Sequence, residues 1–328
     1  MRTKKHTILL LFSIIAITVS SFTMRFSVIP PVISQPVFDG AIPMGNFEKL
    51  EIPLKRVNNL FLIEARIDSL EGNFIFDTGA PKLVLNKTYF RNWKLSGGST
   101  AYGIAGTNTQ IFRQVIDSLI IDSLYFTDLD ADVVNLGHIE TAKGVKILGL
   151  LGANLFTDME MVIDERNSKL ILYKLDKAGE RIFKGDIDTL IPDIDIPIEL
   201  YNDIIYLNGE SAGKKLRFCF DTGAEINVLD NTVNNKVLSH FSLTNRAVLG
   251  GSSDQNVGVL RGELDYLIVD EDSLKNMAFV LTGLSSLETA YNTTLDGILG
   301  FPFLEKGLVI INTKKKKLYQ YFYKEETR

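Results

Sequence analysis

Phe74-Ile75-Phe76-Asp77-Thr78-Gly79-Ala80 returns 144 positions later as Phe218-Cys219-Phe220-Asp221-Thr222-Gly223-Ala224. A long-range repeat is read before any single element, because each copy must fold as the same unit. Working outward, Ile52-Pro53-Leu54 recurs as Ile196-Pro197-Ile198 at the same offset. Downstream, Gly149-Leu150-Leu151-Gly152 matches Gly297-Ile298-Leu299-Gly300, Val162-Ile163-Asp164 matches Ile310-Ile311-Asn312, and Lys169-Leu170 matches Lys317-Leu318, now offset by 148. The step from 144 to 148 puts four extra residues in the second copy. Length variation of that kind belongs in a surface loop.

Within the first copy, Leu60–Ile67, Asn73–Phe76, Lys82–Leu85, Val115–Phe126, Met161–Ile163 and Lys169–Tyr173 are short apolar or β-branched runs separated by Gly, Asn, Asp and Ser. That pattern predicts strands. Helices are expected only as short stretches after Gly152 and Gly300. The sequence therefore predicts an all-β protein with two lobes of about 130 residues each, related by a pseudo-twofold axis. The lobes are placed at residues 48–175 and 193–328, joined by a polar linker at 176–192.

The repeated motif also carries the chemistry. A strand ending in Asp, followed by a hydroxyl residue and Gly, sets a carboxylate at a strand tip where the chain turns away. Two such tips on a twofold axis bring Asp77 and Asp221 face to face. Two adjacent carboxylates cannot both ionise easily, so they share a proton and titrate as a unit. One then serves as general base toward a water while the other protonates a carbonyl oxygen, which suits peptide hydrolysis.

Composition leaves few rivals. One cysteine, Cys219, excludes an intrachain disulfide, a cysteine zinc site and an iron–sulfur cluster. Three histidines, His6, His138 and His240, are isolated in sequence, so no metal and no cofactor is expected. A formal charge of −5, from 35 basic and 40 acidic residues, gives no basic block for a nucleic-acid partner. Cys219 lies in an apolar run and reads as a buried, inert thiol. Gly209-Glu210-Ser211-Ala212-Gly213 fits a nucleophile-elbow pattern but precedes another strand, so a hairpin turn is expected. Asp128, Asp130 and Asp132 resemble the start of a calcium loop, yet Val133 and Ile139 occupy positions that require Gly and Glu. Lys314–Lys317 reads as a solvated hairpin.

Arg2, Lys4 and Lys5 precede an apolar run from Ile8 to Val19, with small residues after it. Residues 1–24 are expected to be a signal peptide or an N-terminal membrane anchor, with a membrane tether through residues 7–24 in the second case. Export to the periplasm, cell envelope or medium follows. Pro30, Pro31, Pro36 and Pro43 mark residues 25–47 as an extended tether.

Through both Asp-Thr-Gly-Ala motifs and the downstream Leu150-Leu151-Gly152 and Ile298-Leu299-Gly300, the sequence resembles the pepsin and retropepsin superfamily of aspartic proteases. The resemblance covers residues 50–323 once per copy and implies the bilobed acid-protease fold, two β-barrel lobes on a pseudo-twofold axis. It implies that Asp77 and Asp221 are catalytic, that Thr78 and Thr222 interlock the loops, and that Gly79, Ala80, Gly223 and Ala224 support them. Gly152 and Gly300 are implied to lie where the chain crosses behind each loop. Tyr102, Gly103 and Ile104 in one copy, and Gly250 and Gly251 in the other, fall where such proteins carry substrate-binding flaps; the extra residues are expected in the second flap. Ala replaces the Ser or Thr that follows Asp-Thr-Gly in pepsins, which removes a donor to the carboxylate and predicts a mildly acidic to neutral optimum. The leading expectation is a monomeric aspartic endopeptidase acting on a peptide or protein substrate. The alternatives are a catalytically silent exported protein that binds peptides or another ligand in the same cleft, and a processing enzyme with a single target.

Overall fold

The computed structural model describes residues 41–91, 96–102, 108–185, 191–250 and 256–324. In the first copy the elements are β1 (Lys49–Pro53), β2 (Lys55–Val57), β3 (Leu60–Ile67), β4 (Leu70–Phe76), β5 (Val84–Asn86), β6 (Ser96–Tyr102), β7 (Asn108–Ile121), β8 (Leu124–Val134), α1 (Gly137–Lys143), β9 (Gly149–Leu151), β10 (Met159–Asp164) and β11 (Lys169–Lys174). The second copy follows with β12 (Ile194–Pro197), β13 (Glu199–Tyr201), β14 (Ile204–Ser211), β15 (Lys214–Phe220), β16 (Asn227–Asp230), α2 (Asn235–Leu238), β17 (Phe241–Gly250), β18 (Asn256–Val269), β19 (Asp272–Thr282), α3 (Ser285–Tyr291), β20 (Gly297–Leu299), α4 (Phe301–Leu304), β21 (Gly307–Asn312) and β22 (Lys317–Phe322).

Each copy forms an eight-stranded sheet with the same connectivity. The orders are β2-β3-β4-β9-β5-β8-β7-β6 and β13-β14-β15-β20-β16-β19-β18-β17, and additional β3–β7 and β14–β18 pairings curl each sheet toward a barrel. Alternation along β4 and β15 decides which side chains enter the barrel. Phe74 and Phe76 point into the main core, while Ile75 joins a smaller cluster on the other face with Leu60, Leu62 and Leu150. In the second copy Phe218 and Phe220 enter the core, and Cys219 joins Ile204, Tyr206 and Ile298.

A third sheet, β1-β11-β10-β21-β22-β12, takes three strands from each copy and reads as a palindrome about its centre. At the centre β10 and β21 run antiparallel with Val162 opposite Ile310, two residues that are equivalent in the repeat. The pseudo-twofold axis therefore passes between them. Burial across this sheet, including Met161, Ile163, Val309 and Ile311 in one core with both barrels, ties the lobes together without a disulfide.

Several local expectations are met. A 3-10 turn at Ala153–Phe156 and α4 follow Gly152 and Gly300. Ala212 and Gly213, at φ 51° and 67°, form the tight turn between β14 and β15, so Ser211 belongs to a hairpin rather than an elbow. Asp128, Asp130 and Asp132 lie along β8, and Lys314–Lys316 turn between β21 and β22.

Other details differ. The run Val115–Phe126 is two strands, because Asp122 takes a left-handed φ of 54° and reverses the chain between β7 and β8. The four extra residues are not in the second flap. Tyr102 pairs with Asn108 and Gly250 with Asn256, so both hairpins already stand at the 148 offset on either side of their tips. The insertion precedes β17, where the second copy carries α2; a short surface helix absorbs added length without disturbing a ladder register. Residues 41–47, placed in the tether, lie on the body through Met44, which exchanges two backbone hydrogen bonds with Tyr125 at 2.9 and 3.0 Å. Residues 1–24 lie outside the described residues, among which no helix is long and apolar enough to cross a membrane.

Candidate active site

Each active-site loop begins where its strand is wedged by an aromatic pair. Phe76 meets Phe156 edge-on at 5.4 Å, and Phe220 meets Phe303 likewise at 6.1 Å. The next residues, Asp77 and Asp221, thus leave the sheet at fixed points on opposite sides of the axis. Asp77 N–H donates to Leu151 O at 3.1 Å and Asp221 N–H to Leu299 O at 2.9 Å, which holds each tip against the strand crossing behind it. Gly152 and Gly300 sit behind the loops, close to Lys82 and Ala224 backbone respectively.

Thr78 and Thr222 are fully buried and bind each other's loops. The Thr78 hydroxyl accepts from Thr222 N–H at 3.0 Å and donates to Phe220 O at 2.9 Å. Reciprocally, the Thr222 hydroxyl accepts from Thr78 N–H at 3.0 Å and donates to Phe76 O at 2.8 Å. Among the described residues both hydroxyls bond only across to the opposite loop, so each loop positions the other.

The interlock brings the carboxylates together. Each carboxylate reaches across to the glycine of the opposite loop, so the two face each other. A Cβ on Gly79 would lie 2.4–2.6 Å from the Asp221 carboxylate, and one on Gly223 would lie 2.6–2.9 Å from that of Asp77. Any larger residue at either position would push the pair apart. Asp77 Oδ1 accepts from Gly79 N–H and Ala80 N–H, both at 3.0 Å, and Asp221 Oδ1 from Gly223 N–H at 2.8 Å. Burial raises both carboxyls. For Asp77 the neighbouring Asp221 charge raises it further, well above the ordinary range, whereas the Asp77 hydrogen bond and the N–H donors pull Asp221 partly back. The two carboxyls therefore titrate as a unit that holds one proton between them before the second is released.

Of the flap residues, Tyr102 and Gly250 end β6 and β17, so both copies carry a hairpin there; Gly103, Ile104 and Gly251 lie outside the described residues. Cys219 is buried, and burial followed by the two acids pushes its thiol well up, so it takes no part as a nucleophile. His240 pairs at the surface with Asp265 at 3.1 Å, remote in sequence from either loop.

Sequence reasoning missed α1 and α3, which supply contacts to the loops from the opposite lobe. The Tyr291 hydroxyl donates to Gly79 O at 2.9 Å, and Lys143 pairs with the Glu225 carboxylate. Both helices are braced by a carboxylate that accepts the N–H of a residue just before the crossing strand, Glu140 from Ile147 at 2.8 Å and Glu288 from Leu295 at 2.9 Å. A signal existed: Glu140-Thr141-Ala142 and Glu288-Thr289-Ala290 are identical and 148 apart.

Comparison with known proteins agrees with this geometry. Residues 63–155, which include Asp77, match the sequence model of a family described as aspartyl protease. Among solved structures, an aspartic proteinase from Irpex lacteus aligns with a TM-score of 0.50 at 13% identity, over 85% of this chain and 98% of its own. Basic 7S globulin from soybean aligns with a TM-score of 0.49 at 9% identity, over 83% of this chain and 94% of its own. No curated protein sequence matches the chain. The fold is the bilobed, pepsin-like acid-protease fold, and the aspartyl protease family match falls within its first copy.

Proposed function

We propose that the protein is an aspartic endopeptidase whose Asp77/Asp221 pair activates a water against a peptide carbonyl. The observation that carries the reading is the reciprocal Thr78–Thr222 interlock, which supports two half-buried carboxyls facing each other across the axis. The ionised partner takes a proton from the water as its oxygen attacks, and the protonated partner gives its proton to the carbonyl oxygen. In the collapse, the first passes its proton to the departing amine nitrogen while the second recovers one from the diol hydroxyl. Both carboxyls end as they began. Having both half-sites in one chain supports action as a monomer. An extended peptide would lie between the lobes under the β6–β7 and β17–β18 hairpins, bound through its backbone and apolar side chains.

Export, by a cleaved signal or an anchor at residues 7–24, is part of the same reading and rests on the N-terminal sequence. The test is peptide-library cleavage by protein lacking residues 1–24, beside Asp77→Asn, Asp221→Asn and a statine-type inhibitor. Cleavage that persists in both variants would sink the dyad, and peptide binding without turnover would favour the silent binding protein. Because no hydroxyl follows either Gly, activity is expected to peak between mildly acidic and neutral pH; a peak below about pH 3 would contradict this.

A further inference from the structure

We propose that Tyr291 is a positioning residue that acts on Asp77 from the opposite lobe through one peptide unit. Its hydroxyl donates to Gly79 O at 2.9 Å, and the N–H of that same peptide unit, Ala80 N–H, donates to Asp77 Oδ1 at 3.0 Å. A donor on the carbonyl polarises the unit and strengthens the N–H at its other end. Phenol, peptide and carboxylate thus form one chain, and its direction favours the Asp77 anion.

The second loop has no such relay. Lys143, the repeat equivalent of Tyr291, pairs instead with the Glu225 carboxylate, and among the described residues no side-chain hydrogen bond to Gly223 O is formed. The device is therefore one-sided. Tyr291 is held firmly in its place by two supports. Its ring packs on the cluster of Ile204, Tyr206, Cys219 and Ile298, and α3 is pinned through Glu288 to Leu295 N–H. Burial, then Cys219 and the two acids, keeps its own proton on, so it remains a donor throughout the working range. The titratable groups facing this chain are Asp77, Asp221, Cys219 and Tyr206, and the Lys143–Glu225 pair flanks the second loop.

The inference rests on the dyad reading, and its test does not require turnover. The full chain is labelled at the Asp carboxyl carbon and titrated by NMR, with the Asp77 signal assigned by its loss in Asp77→Asn. Tyr291→Phe keeps the ring and removes the donor, so the Asp77 midpoint should rise by about half a pH unit. Replacing Tyr291 alone with 3-fluorotyrosine, a stronger donor, should move it the other way. Lys143→Met should leave it in place. With a cleavable peptide, Tyr291→Phe should move the alkaline limb up and lower kcat several-fold while KM stays within about twofold. A midpoint unmoved by Tyr291→Phe in folded protein, or displaced in the same direction by both Tyr291 replacements, overturns the proposal. A shifted titration without any peptide cleavage upholds the relay and removes the endopeptidase reading. Cleavage with an unmoved titration does the reverse.

Discussion

Thr78 and Thr222 make the same pair of hydrogen bonds, while Lys143 and Tyr291, just as equivalent in the repeat, make different ones. The contrast continues along the loops: Pro81 and Lys82 stand opposite Glu225 and Ile226. Lys82 is paired with Asp130 at 2.8 Å and Asp132 at 2.9 Å, whereas Ile226 packs against an apolar cluster. Distance from the axis explains the pattern. On the axis, each threonine bonds the loop of its own counterpart, so altering either one leaves two buried groups of the opposite loop unpaired. Off the axis the contacts are two separate pairs, and each tolerates its own chemistry.

The strongest way to break the symmetry is to remove one carboxylate. Asp77→Asn and Asp221→Asn are each expected to lower kcat at least about a thousandfold, since neither acid nor base can be replaced by the other. Urea melts near neutral pH should show both variants folded and no less stable than the parent. If only one substitution abolishes cleavage, the two copies do not form a shared site.

Next come the threonines. Thr78→Val leaves Thr222 N–H and Phe220 O without partners, and Thr222→Val leaves Thr78 N–H and Phe76 O. Two buried orphans correspond to about 2–4 kcal/mol of stability in either case. Equilibrium urea unfolding should give similar losses for the two variants. A loss confined to one would mean that the interlock is not reciprocal in solution.

The proton shared by the two acids also appears in stability against pH. Folding raises Asp77, through burial and then the Asp221 charge, above its unfolded value near 3.9. A raised carboxyl favours the folded state below about pH 4, and that contribution is lost as pH climbs through the folded value. The stability of the parent relative to Asp77→Asn should therefore fall from about pH 4 upward, by about 1.4 kcal/mol per unit of pKa elevation. A flat difference across urea melts at acidic and neutral pH would contradict the shared proton.

How much of this was legible follows the same division. The repeat exposed Asp77, Thr78 and their counterparts because the five residues from Phe76 to Ala80 return unchanged from Phe220 to Ala224. It also indicated the strands, since burial on one barrel face imposes alternation on runs such as Leu60–Ile67. The six-stranded sheet was hidden, because the pairing of Val162 with Ile310 is a contact between distant residues that leaves no local pattern. The helices α1 and α3 were hidden for another reason: with seven residues each and mostly polar faces, they show no helical periodicity. Tyr291 looked like one more aromatic until the fold carried it across to Gly79.

The smallest expected effect tests the off-axis half of the comparison. Lys143 and Glu225 are both only partly covered, at 16% and 34% exposure, so water and salt screen their attraction. Lys143→Met keeps the aliphatic stem beside the loop and removes the charge, which should change stability by about 1 kcal/mol or less and leave kcat within about twofold. The small change should shrink further as salt is raised from low to molar concentration, because an exposed ion pair weakens with screening. A loss as large as that of Thr78→Val, insensitive to salt, would mean that the second loop depends on Lys143 structurally. The off-axis contacts would then be constrained as tightly as the axial ones, and distance from the axis would not explain why Lys143 and Tyr291 differ.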